Sequence, residues 1–379
     1  MYTLENKGTH PRMISESVTQ NQCSILEGSR LPRQIRLLAD DLTGACDAGV
    51  AFLRSGRGVR VWQQGQALFE TPEEVQAVVT GSRHLEPDQA AEEVRRAAAA
   101  LRKSSGALFF KKIDSTLRGP LATELLAAQQ AMRSRAILLA PAFPSEGRSV
   151  QGGILQVQDA GGSFQRISIR ECFPEDLRRQ MALIARPEEI APALGSGKTI
   201  LVCDSATQQD MEALAGAALA AGGMLYAGSS GLARALAALC GAPVSLEELP
   251  SAGRTLVICG TMHPVTELQL RQVEYERLSD TTLLRIRCGS GDEERIHAAS
   301  SSADPHAWVL TGGETALLAL RALGVESLLL HGEFAPGIPW AVAQGGLAEG
   351  KIVVTKSGGL GAASALNQLL QRVSGRAES

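Results

Sequence analysis

Asp40 and Asp41 stand side by side in "RLLADDLTGACDAG" (residues 36–49), between an apolar run and a Thr-Gly turn. Adjacent carboxylates repel. A fold keeps such a pair only beside water, a cation or the positive part of a ligand. A second charged cluster follows in "FFKKIDSTLRGPL" (109–121), where Lys111, Lys112, Asp114, Ser115, Thr116 and Arg118 crowd the end of an apolar run. Alternation along an extended chain sends Lys112 and Asp114 to one face, and Arg118 has the fork that grips a carboxylate. Alone, this cluster could also be a solvated strand end with an Asp-Ser turn. Two further stretches repeat its theme: "TGSRHLEP" (80–87) with Ser82 and Arg83, and the Pro- and Gly-rich "APAFPSEGRSVQGG" (140–153) with Arg148. Long loops of the latter kind often bind ligands. Together these groups suit a small hydroxylated acid with an anionic end.

Glycine-rich turns mark the other end of the chain. "TGGET" (311–315) and "TKSGGLG" (355–361) each follow an apolar run and open a helical pattern. Glycines there let backbone N–H groups approach a ligand, and the helix N-terminus adds positive partial charge, so phosphate is the natural guest. Lys356 is placed to neutralise phosphate, and Glu314 to act through a magnesium ion or an orienting hydrogen bond. "GTMHPVT" (260–266), with Thr261 and His263, is a third turn of this type. Three lookalikes fail. "GSGKT" (195–199) has Pro192 where a P-loop needs its first glycine, and it precedes a strand pattern. "GGLGAAS" (358–364) ends on Ser364 where a dinucleotide fingerprint needs its third glycine, which disfavours a dehydrogenase. "DDLT" lacks the Asp-x-Asp spacing of aspartyl-phosphate chemistry.

These residues need rigid elements to position them. From Ile35 onward, apolar runs of four to eight residues alternate with amphipathic stretches, which argues for parallel strands joined by crossover helices. The clearest helix starts near Pro87, with Ala91, Val94, Ala98 and Leu101 at helical spacing. A linker rich in turn formers spans 241–254, and the pattern then restarts. The expected architecture is two α/β domains with mainly parallel sheets, over 31–245 and 250–379, with a cleft between them. Residues 1–30 are polar and aperiodic and read as a loose leader, with Met13 an alternative start.

The 379 residues carry a formal net charge of −3 and few aromatics, so neither nucleic acid nor an anionic membrane is an expected partner. Seven cysteines without a CxxC pair read as reduced thiols of a cytoplasmic protein rather than a disulfide frame or zinc site. The oligomeric state stays open, a homodimer being common among small α/β enzymes.

Seven motifs now stand in one order: "ADDLTGA", "KKIDSTLRG", "APAFPSEGRSVQGG", "GSSGLA", "TGGET", "APGIP" and "KSGGLG". In this the chain resembles the four-carbon acid sugar kinase family from Ile35 to about Leu370. The resemblance implies ATP-dependent phosphorylation of threonate, erythronate or a 3-oxo-tetronate, with the acid on the N-terminal domain and the nucleotide on the C-terminal one. It implies that Asp40, Asp41 and Thr43 form a substrate-side loop. Ser82, Arg83, Lys112, Asp114, Ser115 and Arg118 would surround the acid. Gly312, Gly313, Glu314, Thr315, Gly358 and Gly359 would surround ATP. Gly260-Thr261-Met262-His263 departs from the family's Gly-Ser-x-Ser turn: Thr261 keeps a hydroxyl and His263 does not. On this reading Asp41 is the general base for attack on the γ-phosphate, Asp40 turns away to cap the following helix, and magnesium bridges the phosphates. Alternatives are a kinase for another small sugar acid, or a non-catalytic sensor of sugar acid and nucleotide.

Overall fold

The computed structural model describes residue 32 and residues 34–66, 71–102, 106–158, 164–273 and 279–375. The leader expected over residues 1–30 lies outside them. In the N-terminal half the order is β1 (Ile35–Ala39), α1 (Leu42–Leu53), β2 (Val59–Trp62), β3 (Val75–Val79), α2 (Pro87–Leu101), β4 (Leu108–Lys112), α3 (Leu121–Met132) and β5 (Ala136–Ala140). Three short strands follow, β6 (Arg148–Gln151), β7 (Ile154–Gln158) and β8 (Phe164–Ser168), then α4 (Glu175–Arg178), β9 (Met181–Ile184), α5 (Ile190–Gly195), β10 (Ile200–Cys203), α6 (Gln208–Ala221), β11 (Met224–Gly228) and α7 (Ser230–Cys240). The C-terminal half runs β12 (Thr255–Cys259), α8 (Pro264–Arg271), β13 (Thr281–Arg285), α9 (Asp292–Ala303), β14 (Ala307–Thr311) and α10 (Gly313–Ala322). It ends with β15 (Ser327–Ala335), β16 (Ile338–Gln344), β17 (Ile352–Lys356) and α11 (Ala365–Ser374).

The apolar runs become strands because both their faces are covered. Every residue of β1, β3, β5, β11, β12 and β14 is buried, as parallel strands between helix layers must be. Helix α2 starts at Pro87 and buries Ala91, Val94, Ala98 and Leu101. Among the described residues no helix is long and apolar enough to cross a membrane.

One difference from the sequence-based expectation concerns how the halves meet. Both belong to a single 14-stranded sheet, ordered β13-β12-β14-β17-β16-β15-β2-β3-β1-β4-β11-β5-β10-β9. The hairpin β15–β16 is antiparallel, and β15 pairs antiparallel with β2, Ser327 opposite Trp62. This hairpin joins two parallel blocks. Each block reverses its winding direction once, beside β1 and beside β12. Such switch points open crevices at the carboxyl ends of strands. A separate antiparallel sheet, β6-β7-β8, stands apart from the large one. Its Gly152-Gly153 turn is tied down by Asp204, which accepts both N–H groups at 2.7 and 2.9 Å.

Candidate active site

A cleft of about 1320 Å³ follows the carboxyl ends of the strands and is walled by both halves of the chain. Its centre is the turn after β1. Asp41 leaves β1 in an extended conformation and caps α1, its Oδ1 accepting from Gly44 N at 2.8 Å. Its Oδ2 accepts from Thr43 Oγ1 at 3.1 Å and from Arg83 NH1 at 2.6 Å. Asp40, only 3% exposed, accepts from the same guanidinium twice, Nε and NH2 each at 2.9 Å. The expected division of labour is therefore corrected: the cap is Asp41, not Asp40. Both carboxylates reach one cation because the Arg83 guanidinium spans them, Nε and NH2 on Asp40 and NH1 on Asp41.

Arg83 also lies 3.8 Å from Asp114. Burial works against its charge, but the three carboxylates outweigh burial and hold the guanidinium protonated. Burial likewise opposes ionisation of Asp40, yet Arg83, Lys111 and Lys112 together keep its carboxyl below the usual range. This cluster answers the repulsion posed by the adjacent aspartates. Ser82 stands behind it, fully buried against Thr80 Oγ1 at 2.7 Å and not on the cleft wall.

The turn after β4 forms the next wall. Asp114 accepts from Thr116 N and Oγ1, from Arg118 N, and from Arg118 Nε and NH2 at 2.9 and 2.6 Å. These bonds hold Leu117 at φ 60°, a left-handed conformation that costs a branched residue energy. Asp114 thus builds the turn more than it faces a ligand; burial opposes its charge, and Arg118, Arg83 and Thr116 outweigh burial. Lys112 and Asp114 share the cleft face, whereas Lys111 points to the other and meets Glu124 at 2.6 Å in a buried ion pair. Lys112 Nζ donates to Ile113 O at 2.9 Å and, among the described residues, has no carboxylate partner. Arg148, brought in by β6, donates from NH1 to Ser115 Oγ at 2.6 Å, while its buried Nε has no hydrogen-bond partner among the described residues. Burial pulls the Arg148 guanidinium below its ordinary value, the state of a cation waiting for an anion.

Three glycine turns make the opposite wall. Gly313 opens α10 with its Cα against Asp41, so that any Cβ there would overlap Oδ2. Gly312 takes φ 100° beside Thr261 and Thr315. A Cβ on Gly358 would lie 2.6 Å from Thr261 Oγ1, so the turns interlock where only backbone fits. Glu314 is exposed on this wall. His263 caps α8, Nδ1 accepting from Val265 N at 3.2 Å, and its ring lies against Gly359.

Lys356 departs from the expected position. It is fully buried and absent from the cleft wall, its Nζ donating to Ser357 O at 3.0 Å beneath the glycine loop. Thr266, donating to Gly358 O at 2.7 Å, and Gln269, donating to three loop carbonyls, brace the same loop from α8. A strand-end lysine points into a cleft or under it according to its face, and the face was not legible.

A consequence follows for stability. Burial lowers the Lys356 ammonium from its ordinary 10.5 to about 8. Below pH 8 the folded protein carries the whole cost of that charge. Between pH 8 and 10.5 the folded side chain is neutral while the unfolded one is still protonated, so this cost disappears as pH rises. It amounts to about 3 kcal/mol. Denaturant titrations at pH 7.5 and 10 are expected to show wild type gaining stability relative to Lys356→Met; an equal pH dependence in both would contradict this.

Sequence reading missed Asp47 and Ser230, which both line the cleft. Asp47 sits one turn beyond Thr43 on α1, and Ser230 begins α7 and donates to Asp47 Oδ2. Asp47 reads in sequence as the polar face of a helix, and "GSSGLA" gives no sign of a role for Ser230. The "GSGKT" stretch closes α5 before β10, away from the cleft. Among the described residues no three His, Cys, Asp or Glu are grouped to hold a metal ion.

Fold and site define an α/β protein with a ligand cleft between a cation-rich wall and a glycine-turn wall. The chain matches the model of a sugar-binding N-terminal domain over residues 35–174 and 162–236, and that of a nucleotide-binding C-terminal domain over residues 293–366. It is 29% identical over 399 residues to D-threonate kinase of Bordetella bronchiseptica, covering 89% of this chain and 97% of that protein. It is 30% identical over 271 residues to D-erythronate kinase of Heliobacterium modesticaldum, covering 63% and 60%. A crystal structure of a Haemophilus influenzae protein shares the fold with a TM-score of 0.65 at 19% identity, covering 90% of this chain and 100% of that one. The chain belongs to the four-carbon acid sugar kinase family.

Proposed function

We propose that the protein is an ATP-dependent kinase that phosphorylates a hydroxyl of a four-carbon sugar acid, with D-threonate the first candidate. One observation carries this reading: a single cleft holds, on one wall, Lys112 and Arg148, which among the described residues have no carboxylate partner, and on the other wall glycine turns, one of which opens α10. Arg148, with Arg118 beside it, offers the fork that binds the acid's carboxylate. Lys112 lies close to Gly44 at the start of α1, where it would offset the charge of the transferring phosphoryl group. The backbone N–H groups of the Gly312-Gly313 and Gly358-Gly359 turns, with Thr261, would cradle the nucleotide phosphates. Magnesium needs one or two carboxylates when phosphates supply its other ligands. Glu314 is exposed where it would hold that ion, whose charge would neutralise the phosphates. Asp41 has both oxygens engaged, which suits holding the two walls in register.

Coupled ADP release with ATP, magnesium and the D and L forms of threonate and erythronate, plus 3-oxo-tetronates, tests the reading. Strong turnover with one acid is expected. Silence across the panel with ATP binding intact would overturn the acid class. In the same assay Arg148→Ala is expected to raise the KM for the acid roughly 10- to 100-fold, the worth of a hydrogen bond to a charged group. The KM for ATP stays unchanged.

A further inference from the structure

Kinase chemistry of this kind needs a carboxylate that can take a proton from the acceptor hydroxyl. Three cleft carboxylates are already committed to guanidinium groups: Asp40 and Asp41 to Arg83, and Asp114 to Arg118. Three others have no ion pair among the described residues: Asp47, Glu146 and Glu314. Glu314 stands on the glycine-turn wall, beside the nucleotide phosphates on the reading above. Glu146 rides the short turn Pro144–Glu146 and faces Arg148 and Arg234. Asp47 differs from both. It projects from α1, the same helix whose first turn carries Asp41, Thr43 and Gly44, and Lys112 Nζ lies close to Gly44. Among the described residues its one hydrogen bond is from the Ser230 hydroxyl to Oδ2, which leaves Oδ1 for a ligand.

We propose that Asp47 is the general base of the transfer, oriented by Ser230, and that it accepts the proton of the hydroxyl to be phosphorylated. The proposal rests on the kinase reading above. As the acceptor oxygen bonds to the γ-phosphorus, the bond from that phosphorus to the β–γ bridging oxygen breaks and ADP leaves with its electron pair. The hydroxyl proton passes to Asp47 and then to solvent, so the products are ADP, the phosphorylated acid and one proton. The charges facing Asp47 are Lys112 from β4, Arg234 from α7, Glu333 from β15, and Glu146 and Arg148 from the loop and strand before β7. Burial raises the Asp47 carboxyl above its ordinary range, with Ser230, Lys112 and Arg234 pulling the other way and Glu333 adding to the rise. A carboxylate raised toward neutral pH is a better proton acceptor than one held low by a guanidinium.

The test compares wild type with Asp47→Asn and Ser230→Ala in acid-dependent ADP release from pH 5 to 9. Asp47→Asn is expected to lower kcat about 10²- to 10⁴-fold, with the KM for the acid changed only several-fold and the acidic limb of the profile gone. A rise in KM with kcat nearly intact would make Asp47 a binding residue and overturn the proposal, leaving the kinase reading standing. An inactive wild type would instead sink the kinase reading itself, and the proposal with it. Ser230→Ala keeps the test open if Asp47→Asn does not fold. The Ser230 hydrogen bond favours the charged carboxylate, so its loss is expected to move the acidic limb to higher pH. An unmoved limb would overturn the proposal.

Discussion

Arg83→Met is expected to be the most damaging single substitution in the cleft. It removes the cation shared by Asp40, Asp41 and Asp114 and leaves adjacent carboxylates in a wall where Asp40 is 3% exposed. Breaking a buried pair by deleting one partner costs about 3–5 kcal/mol, because the remaining charge is buried without compensation. Arg83 serves more than one partner, so the upper part of that range is expected. Activity should fall by about a hundredfold or more, since Asp41 also lies against the glycine turn at Gly313 and small misplacements of a site cost on that order. The sign with pH is specific. In wild type Asp40 is held below its ordinary range, so its contribution is present above the unfolded carboxyl pKa and is lost as pH falls through the folded one. In the variant the same burial has no cation against it and favours the protonated carboxyl, so acid relieves the variant. The stability gap between the two, measured by denaturant titration, should narrow as pH falls from neutrality into the carboxyl range near about 4. A gap that stays constant would show that the aspartates do not depend on Arg83.

Glu124→Ala is expected to cost a similar 3–5 kcal/mol for the same physical reason, but with little effect on chemistry. Lys111 is fully buried and Glu124 nearly so, 2.6 Å apart between β4 and α3, and neither lines the cleft. Turnover per folded molecule should therefore stay close to wild type. One oxygen of the pair, Glu124 Oε1, is buried without a hydrogen-bond partner among the described residues, so the pair is an imperfect one. Replacing both residues by apolar ones of similar size, Lys111→Met with Glu124→Leu, should recover most of the loss, as apolar isosteres of buried pairs commonly do. Melting and denaturant curves of the single and double variants decide this. A double variant as unstable as the single would mean that the ion pair itself, not the orphaned lysine, sets the cost.

Much of this was legible because the signals were local. Pro87 and the spacing of Ala91 to Leu101 mark a helix without reference to the rest of the chain. The clustering of Asp40, Arg83, Lys112 and Arg148 was readable because each ends or follows an apolar run, and parallel strands bring their carboxyl ends to one edge. What was not legible depended on distance in sequence or on side-chain direction. Nothing near Val59–Trp62 announces that β2 pairs with β15, some 265 residues away, and makes one sheet of the two halves. That Asp41 rather than Asp40 caps α1 depends on the local backbone at the cap, where Asp41 is extended and bonds Gly44 N. Lys356 lies under its loop because of the face it takes at the end of β17. Asp47 was passed over because a lone aspartate on a helix resembles any solvated residue until α7 brings Ser230 against it.

The central claim is that this cleft moves a phosphoryl group from ATP to a hydroxyl of a sugar acid. The most direct measurement is a phosphorus NMR time course of the protein with ATP, magnesium and D-threonate. The account predicts a new phosphomonoester resonance that grows in step with ADP, with inorganic phosphate staying at its background level. Growth of inorganic phosphate alone, or ATP left unconsumed while both ligands bind, would contradict it.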